Sequence, residues 1–159
     1  MTSMDLPIRP AGAGDADAIA RLVNLAYEAE RFFVLGDRTD ASDVLTHMAR
    51  GLFLVAAEPG GAGLVGCVHV EPDGEVGSFG MLAVDPAWQR TGVGRRLIDT
   101  AEAHIRRAGA HVVEIHVVNV RDDLLPRYRR LGYVEVGTAP YVHRPTIQPV
   151  HFVVMRKAL

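Results

Sequence analysis

The fold is decided by the stretch MLAVDPAWQRTGVGRR, residues 81–96. Its first four residues are apolar and end a β-strand pattern, and Asp85-Pro86 stops that strand because proline cannot donate to a sheet. Gly92 and Gly94 then precede a helical pattern. The apolar face of that helix consists of Leu97, Ile98, Ala101, Ile105 and Ala108. The stretch therefore predicts a strand, a glycine turn and a long helix in immediate succession.

The glycine turn has the features of an anion site. The first turn of a helix presents unpaired backbone N–H groups and the positive end of the helix dipole. Glycine lets the backbone approach a ligand without a Cβ clash, and Arg90, Arg95 and Arg96 add positive charge. Together these features predict a cradle for a pyrophosphate. The cradle is not a P-loop, because no Gly-Lys-Ser/Thr follows it.

A second glycine pattern, GAGLVG at residues 61–66, matches the dinucleotide-binding fingerprint only in its letters. A dinucleotide site needs a strand before this pattern and a helix after it. Here the residues that follow, Leu64–Glu71, form a strand pattern. We therefore interpret these glycines as a hairpin turn.

Around this centre the sequence predicts one mixed α/β domain over residues 1–159, with the order β-α-α-β-β-β-α-β-α-β-β. The three strands before the glycine turn are expected to form an antiparallel meander. The predicted strands are residues 8–10, 52–58, 64–71, 76–84, 111–118, 133–136 and 151–156. The predicted helices begin near Asp15 and Thr91 and cover about 42–50 and 123–131. Residues 138–149 contain three prolines and are predicted to form a long loop.

The composition excludes several classes of protein. The chain has 159 residues, of which 48% are hydrophobic and 23% charged, as is usual for a soluble domain. Its net charge of -2 argues against nucleic acid as a partner. The sequence has neither an apolar run of about 18 residues nor a leader pattern at its start, so no membrane span or signal peptide is predicted. Its one cysteine, Cys67, suits the reducing cytoplasm.

Two motifs carry a resemblance to a known family. Residues 81–94 resemble the acyl-CoA motif of the GNAT (Gcn5-related N-acetyltransferase) superfamily, which is Q/R-x-x-G-x-G/A after a strand ending in V-x-P. Downstream, YRRLGY at residues 128–133 resembles the family's Y-x-x-x-G-F/Y. The resemblance is good over about residues 52–136 and loose at both ends.

The resemblance implies a fold and a cofactor site. In this family a bulge splays the strand that ends at Val84 from the strand at 111–118, and the pantetheine arm of acetyl-CoA lies in the gap. The cofactor residues implied by the resemblance are Leu82, Ala83 and Val84 along the strand, and Gln89, Arg90, Thr91, Gly92, Val93, Gly94 and Arg95 around the pyrophosphate. Asn119 is the candidate for an asparagine that contacts CoA; the alternative is that it caps the loop after its strand.

The resemblance also implies one catalytic residue. Tyr128 lies where the family's tyrosine protonates the departing CoA thiolate; the alternative is a tyrosine that only packs on the sheet. No general base is assigned, although His116 and His151 are the better candidates, and Glu71 and Glu75 are interpreted as solvated turn charges. No metal site is predicted, because no ligand spacing is present. Cys67 is interpreted as a small buried hydrophobe.

The acceptor pocket is expected to come from residues 27–38 and 138–148, where aromatic and polar side chains suit a small molecule. The candidate substrate-binding residues are Tyr27, Phe32, Phe33, His116, Tyr141 and His151. The alternative for the two phenylalanines is that they seal the edge of the core.

The resemblance implies an acetyl-CoA-dependent N-acetyltransferase whose acceptor, the primary amine of a small molecule, attacks directly in a ternary complex. Two alternatives remain open: a protein N-terminal or lysine acetyltransferase, and a non-catalytic acyl-CoA sensor or interaction module. By analogy with the family, a homodimer could form through the strand at 152–154.

Overall fold

A seven-stranded sheet organises the chain, which a computed structural model describes over residues 6–61 and 63–159. The strands are β1 Ile8–Pro10, β2 Leu52–Ala57, β3 Leu64–Glu71, β4 Val76–Val84, β5 Val112–Val118, β6 Val134–Pro140 and β7 His151–Ala158. The helices are α1 Ala16–Ala26, α2 Ala41–Met48, α3 Val93–Arg107 and α4 Leu124–Arg130. The sheet order is β1-β2-β3-β4-β5-β7-β6. The predicted mixed α/β class and element order are therefore confirmed.

Two predictions rest partly on residues outside the described ranges. The expectation of no signal peptide uses residues 1–10, of which 1–5 are not described, and Ala62 of the glycine hairpin is not described either. Before Ala62, Gly60 and Gly61 have φ values of 88° and 77°, as a tight turn requires. Each helix within residues 6–61 and 63–159 is too short or too polar to span a bilayer.

The two faces of the sheet carry separate apolar layers. α1 buries Ile19 and Val23 against one face, and α3 buries Leu97 and Ile105 against the other. α3 can approach closely because Gly77 of β4 has no side chain: a Cβ there would lie 2.4 Å from Cγ2 of Ile105. This packing holds α3 against β4, and it therefore positions the glycine turn between them.

The pattern at residues 61–66 has a structural role at its last position. Gly66 lies in β3, where a Cβ would come within 2.8 Å of Cδ1 of Leu97. The pattern leads into a strand rather than a helix, so its glycines serve the hairpin and the approach of α3.

β4 and β5 separate soon after they start. They pair in parallel only over Val76–Ser78 and Val112–Glu114. Further along β4, Cys67 lies opposite Ala83 and His69 opposite Gly80, so one residue of β3 faces two of β4. This bulge includes Met81, whose φ of 48° is unusual for a residue with a side chain. The splayed sheet expected from the family resemblance is therefore present, with the bulge in β4.

The end of the chain differs from the sequence prediction in two respects. β6 continues to Pro140 and β7 to Ala158, because the two strands pair with each other from Val134 to Pro140. β7 also pairs with β5 along its other edge. Residues 152–154 therefore have no free strand edge, and the predicted pairing of this strand in a homodimer is wrong; the outer strand is β6.

Candidate functional site

A cleft of about 1250 Å³ opens where β4 and β5 separate. It is lined by the second half of β4, by β5, by the glycine turn, by α4 and by parts of residues 26–38 and 141–143. Drug-sized ligands fill about 300–1000 Å³, so this cleft has room for more than one reactant. The predicted cofactor residues that line it are Leu82, Ala83, Val84, Gln89, Arg90, Gly92, Gly94 and Arg95.

The edge of β4 that faces the cleft has no strand partner beyond Ser78. The other edge of β4 is paired with β3 as far as Val84. Backbone N–H and C=O groups that lose contact with water need another hydrogen-bond partner. An extended ligand that carries amide groups can supply it, much as an added strand does. The position suits Leu82, Ala83 and Val84 for backbone contacts with such a ligand.

The glycine turn presents a concave run of backbone at the start of α3. Arg90 and Gly92 both have positive φ, at 64° and 94°, and alternation of this kind turns successive N–H groups toward one point. A left-handed arginine costs of order 1–3 kcal/mol, and such strain collects at ligand sites. The Thr91 hydroxyl donates to the Trp88 carbonyl at 2.5 Å and holds the turn.

Three residues near the turn have side chains that contact other parts of the protein. Thr91 and Val93 lie outside the cleft lining, and Val93 is buried against the α3 layer. They therefore contribute backbone and packing to the turn. Arg96, which was expected to add charge to it, donates from its guanidinium to the Leu6 carbonyl at 2.8 Å.

Tyr128 of α4 packs on the sheet and also lines the cleft. Its ring packs against Phe79 and Tyr133, with centroids 6.4 and 5.7 Å apart, and the residue is 7% exposed. No group in the described part of the chain hydrogen-bonds its hydroxyl. Every fully buried polar side-chain atom among those residues has a hydrogen-bond partner, so a hydroxyl without one must be exposed. The Tyr128 hydroxyl is therefore open to the cleft that the residue lines. Burial raises its pKa, so at neutral pH it can donate a proton.

Two segments close the far end of the cleft. The backbone N–H of Leu35 donates to the carbonyl of Pro145 at 3.0 Å, and that of Ile147 donates to the carbonyl of Phe33 at 2.9 Å. Val34 and Thr146 form an isolated antiparallel bridge between these bonds. The segments predicted to form the acceptor pocket are thus joined to each other.

A buried ion cluster reinforces this closure. Glu30 is 6% exposed and accepts from Arg121 at 3.1 Å and from Arg144 at 2.5 Å. Arg121 also pairs with Asp123 at 3.0 Å. Burial raises the pKa of Glu30, and the charges of the two arginines oppose that rise. Two guanidiniums in hydrogen-bond contact keep the carboxylate ionised at neutral pH.

Replacing Glu30 by glutamine is expected to lower the free energy of unfolding by about 3 kcal/mol, because Arg121 and Arg144 lose the carboxylate between them. Urea unfolding measures the change. Glu28→Gln is the matched control, since Glu28 pairs with Arg31 at the exposed surface and should leave the midpoint unchanged. Equal midpoints for the two variants would contradict the structural role of Glu30.

The predicted acceptor residues separate into two groups. Tyr27, His116 and Tyr141 line the cleft. Phe32 is 52% exposed and Phe33 is fully buried, and neither lines it. Phe33 packs with Val34, Val118 and Phe152, so it seals the core edge, as the alternative interpretation held.

His151 and Asn119 also lie outside the residues that line the cleft. The Asn119 side-chain oxygen accepts from the His151 backbone N–H at 3.0 Å, and the Asn119 N–H donates to the His151 carbonyl at 2.9 Å. Asn119 therefore fixes the start of β7 beside the end of β5, which is the capping role given as its alternative. The contact with CoA proposed for it has no support from this geometry.

Two titratable groups of β3 are buried. Cys67 is fully buried and burial raises its pKa to about 12, which fits a small core residue. His69 is 5% exposed, lines the cleft and lies 2.8 Å through Nε2 from the His47 carbonyl. Burial lowers the pKa of His69. The folded structure therefore favours the neutral form of the His69 imidazole.

His69 makes the stability of the fold depend on pH. Below about pH 6.5 this histidine takes up a proton in the unfolded chain, whereas in the folded chain its lowered pKa delays protonation. Acid therefore favours unfolding. We expect the wild type to lose stability between about pH 7 and pH 5, and His69→Gln to lose less. His111→Gln, at an exposed histidine, is the control and should keep the wild-type slope. Equal slopes for all three proteins would contradict this account.

Glu30, Arg38 and His143 also line the cleft and lie in the two segments predicted to form the acceptor pocket, whereas His47, another lining residue, lies outside those segments. Their sequence context is polar loop and helix end, which is equally typical of solvated surface. Among the described residues, no group of three or more possible metal ligands is present.

Solved structures share this fold. The paia N-acetyltransferase from Thermoplasma acidophilum, in complex with coenzyme A, has a TM-score of 0.80 at 15% identity, over 98% of this chain and 100% of that one. The protein yncA from Salmonella typhimurium, with its cofactor acetyl-CoA, has a TM-score of 0.75 at 21% identity, over 97% and 94% of the two chains.

The sequence comparison assigns the family. The model of the acetyltransferase (GNAT) family matches residues 19–133, so the chain belongs to this family. The mycothiol acetyltransferase of Propionibacterium freudenreichii is 32% identical over 114 residues, which are 63% of this chain and 36% of that protein. The chain spans about a third of the length of that curated relative.

Proposed function

We propose that the chain is an acetyl-CoA-dependent N-acetyltransferase that acts on the primary amine of a small molecule in a ternary complex. The carrying observation is that one cleft connects the glycine turn, the open edge of β4 and the Tyr128 hydroxyl. Family membership and the CoA-bound neighbours support the choice of acyl donor. A pyrophosphate fits the turn, and a chain with amides fits the strand edge.

Each part of the cleft has a role in this reaction. The backbone of Gln89–Arg95 holds the pyrophosphate, and the backbone of Leu82–Val84 aligns the pantetheine arm with its thioester near the opening of β4 and β5. The amine nitrogen bonds to the acyl carbon as the carbon–sulfur bond breaks. Tyr128 donates its hydroxyl proton to the departing sulfur and is reprotonated by the proton that the amine loses. The group that first removes that proton is unassigned.

The closed far end favours a small acceptor over a protein. Hydrogen bonds between residues 33–35 and 145–147, with the Glu30 cluster behind them, block the path that a polypeptide would follow through this end. The cytoplasmic location and any homodimer remain predictions.

Release of free thiol from acetyl-CoA tests the proposal with two panels, one of small primary amines and one of peptides with free N-termini and lysines. Transfer to small amines alone supports it. Preferential transfer to peptides favours the protein acetyltransferase. Binding of acetyl-CoA without transfer to either panel favours the sensor.

A further inference from the structure

Arg38 stands at the closed end of the cleft and lines it. Its guanidinium carbon lies 5.6 Å from the centroid of the Tyr27 ring, which lines the same end. Stacking of this kind orients the plane of the guanidinium and leaves its N–H fork available. Arg38 is half-buried, so its charge acts in a partly desolvated space.

The backbone beside Arg38 is held in place. The Asn24 side chain donates to the Thr39 carbonyl at 2.9 Å and accepts from the Thr39 N–H at 3.0 Å. The Thr39 hydroxyl donates to the Asp43 carboxylate at 2.5 Å. Three hydrogen bonds hold Thr39 in place, so the preceding arginine has a defined backbone position, which lowers the entropy lost when a ligand binds.

Two of the three arginines at this end of the cleft have carboxylate partners. Arg121 and Arg144 pair with Glu30, and Arg121 also pairs with Asp123. Arg38 makes no ion pair within the described residues. Arg38 is therefore the one of these three arginines that has no carboxylate within salt-bridge distance, although its charge acts at longer range on Glu30. Burial and then the charge of Arg38 lower the pKa of His143, which lines the same end.

We propose that Arg38 binds the carboxylate of the acceptor, which makes the acceptor an amino acid. This inference rests on the proposed acetyltransferase function and names its substrate class. A guanidinium fork matches a carboxylate with two parallel hydrogen bonds. One arginine without a carboxylate partner matches a monoanion, whereas a phosphomonoester carries about -1.5 to -2 charges. An amine without an anionic group would bring its positive charge near Arg38 and leave that guanidinium without a carboxylate partner, so it would be disfavoured.

The test compares each proteinogenic L-amino acid with its own α-carboxamide as acceptor, by thiol release from acetyl-CoA. For the best acceptor, the wild type should favour the acid in kcat/KM by about tenfold or more, and Arg38→Gln should bring the ratio close to one. Arg38→Lys should give an intermediate ratio. Arg31→Gln is the control, because Arg31 is exposed, pairs with Glu28 and lies outside the cleft lining.

A binding experiment tests the role of Arg38 without requiring turnover. The coenzyme A-loaded protein is titrated calorimetrically with the same acids and carboxamides. Binding of an acid in preference to its carboxamide, lost in Arg38→Gln and kept in Arg31→Gln, supports the proposal. Equal binding of acid and carboxamide, no binding of any acid, or an acid preference that survives in Arg38→Gln overturns it. Transfer to amines without an acid preference would overturn only the role of Arg38, whereas binding of acetyl-CoA without transfer would overturn the enzyme function.

Discussion

Replacing Tyr128 by phenylalanine is expected to lower kcat for acetyl transfer by about a hundredfold or more and to leave the Kd of acetyl-CoA nearly unchanged. The departing thiolate loses its proton donor, while the ring keeps its packing on Phe79 and Tyr133. Because the hydroxyl has no hydrogen-bond partner among the described residues, its removal should not destabilise the fold. Initial rates and calorimetric titration on the same preparation give the two numbers.

Tyr133→Phe is the matched control for this variant. The Tyr133 hydroxyl donates to Glu102 at 2.6 Å, and Tyr133 is not among the residues that line the cleft. Its loss should cost about 1 kcal/mol of stability without a comparable fall in kcat. Full turnover in Tyr128→Phe would mean that another group protonates the sulfur.

Replacing Gly94 by aspartate is expected to raise the Kd of acetyl-CoA by about tenfold or more, because a negative charge would face the pyrophosphate at close range. Gly94 lines the cleft in the first turn of α3. A Cβ there would meet Cγ2 of Val84 at 3.6 Å, which is ordinary contact, so the fold has room for the side chain. An aspartate at a helix N-terminus also favours the folded state. Affinity should therefore fall while the melting temperature stays constant or rises.

Gly94→Asn separates charge from size in this experiment, since it adds nearly the same volume without the charge, and its Kd should lie between those of the wild type and the aspartate variant. Gly92→Val is a weaker test, because the φ of 94° at Gly92 strains any β-branched residue and confounds affinity with stability. An unchanged Kd in folded Gly94→Asp would mean that the pyrophosphate lies elsewhere.

The elements around the glycine turn could be predicted because their signals are local. The apolar positions of α3 repeat with helical spacing, and Gly109, with a φ of 102°, is a glycine of the kind that commonly follows the end of a helix. The strand before the turn ends in an apolar run, and the strand after the helix is rich in β-branched residues. The two motifs fall on these elements, which is why most of the predicted cofactor residues line the cleft.

The bulge could not be read from its own residues. Phe79 and Leu82 pack on the α3 face of the sheet, whereas Met81 and Ala83 pack on the α1 face, so the alternation breaks at one residue. All four side chains are apolar, and the sequence of an apolar run does not indicate which face of the sheet each residue packs on. Only the opposing register of β3 reveals the extra residue.

The acceptor end depends on contacts between distant parts of the chain. Glu30 meets Arg121 and Arg144, which lie 91 and 114 residues further on. In the sequence Glu30 stands among other charged residues and resembles solvated surface. The interior position of β7 is likewise set by pairing with both β5 and β6. These features follow from tertiary packing, which a local pattern does not encode.

Calorimetric titration of the purified chain with acetyl-CoA, beside ADP and NAD, tests the central claim most directly, since the claim is that the cleft between β4 and β5 holds an acyl-CoA. We expect micromolar binding of acetyl-CoA with a stoichiometry near one, and far weaker binding of ADP and NAD, which lack the pantetheine arm. Equal affinity for acetyl-CoA and ADP would mean that the open edge of β4 does not bind the pantetheine arm. No binding of acetyl-CoA by a folded protein would contradict the account.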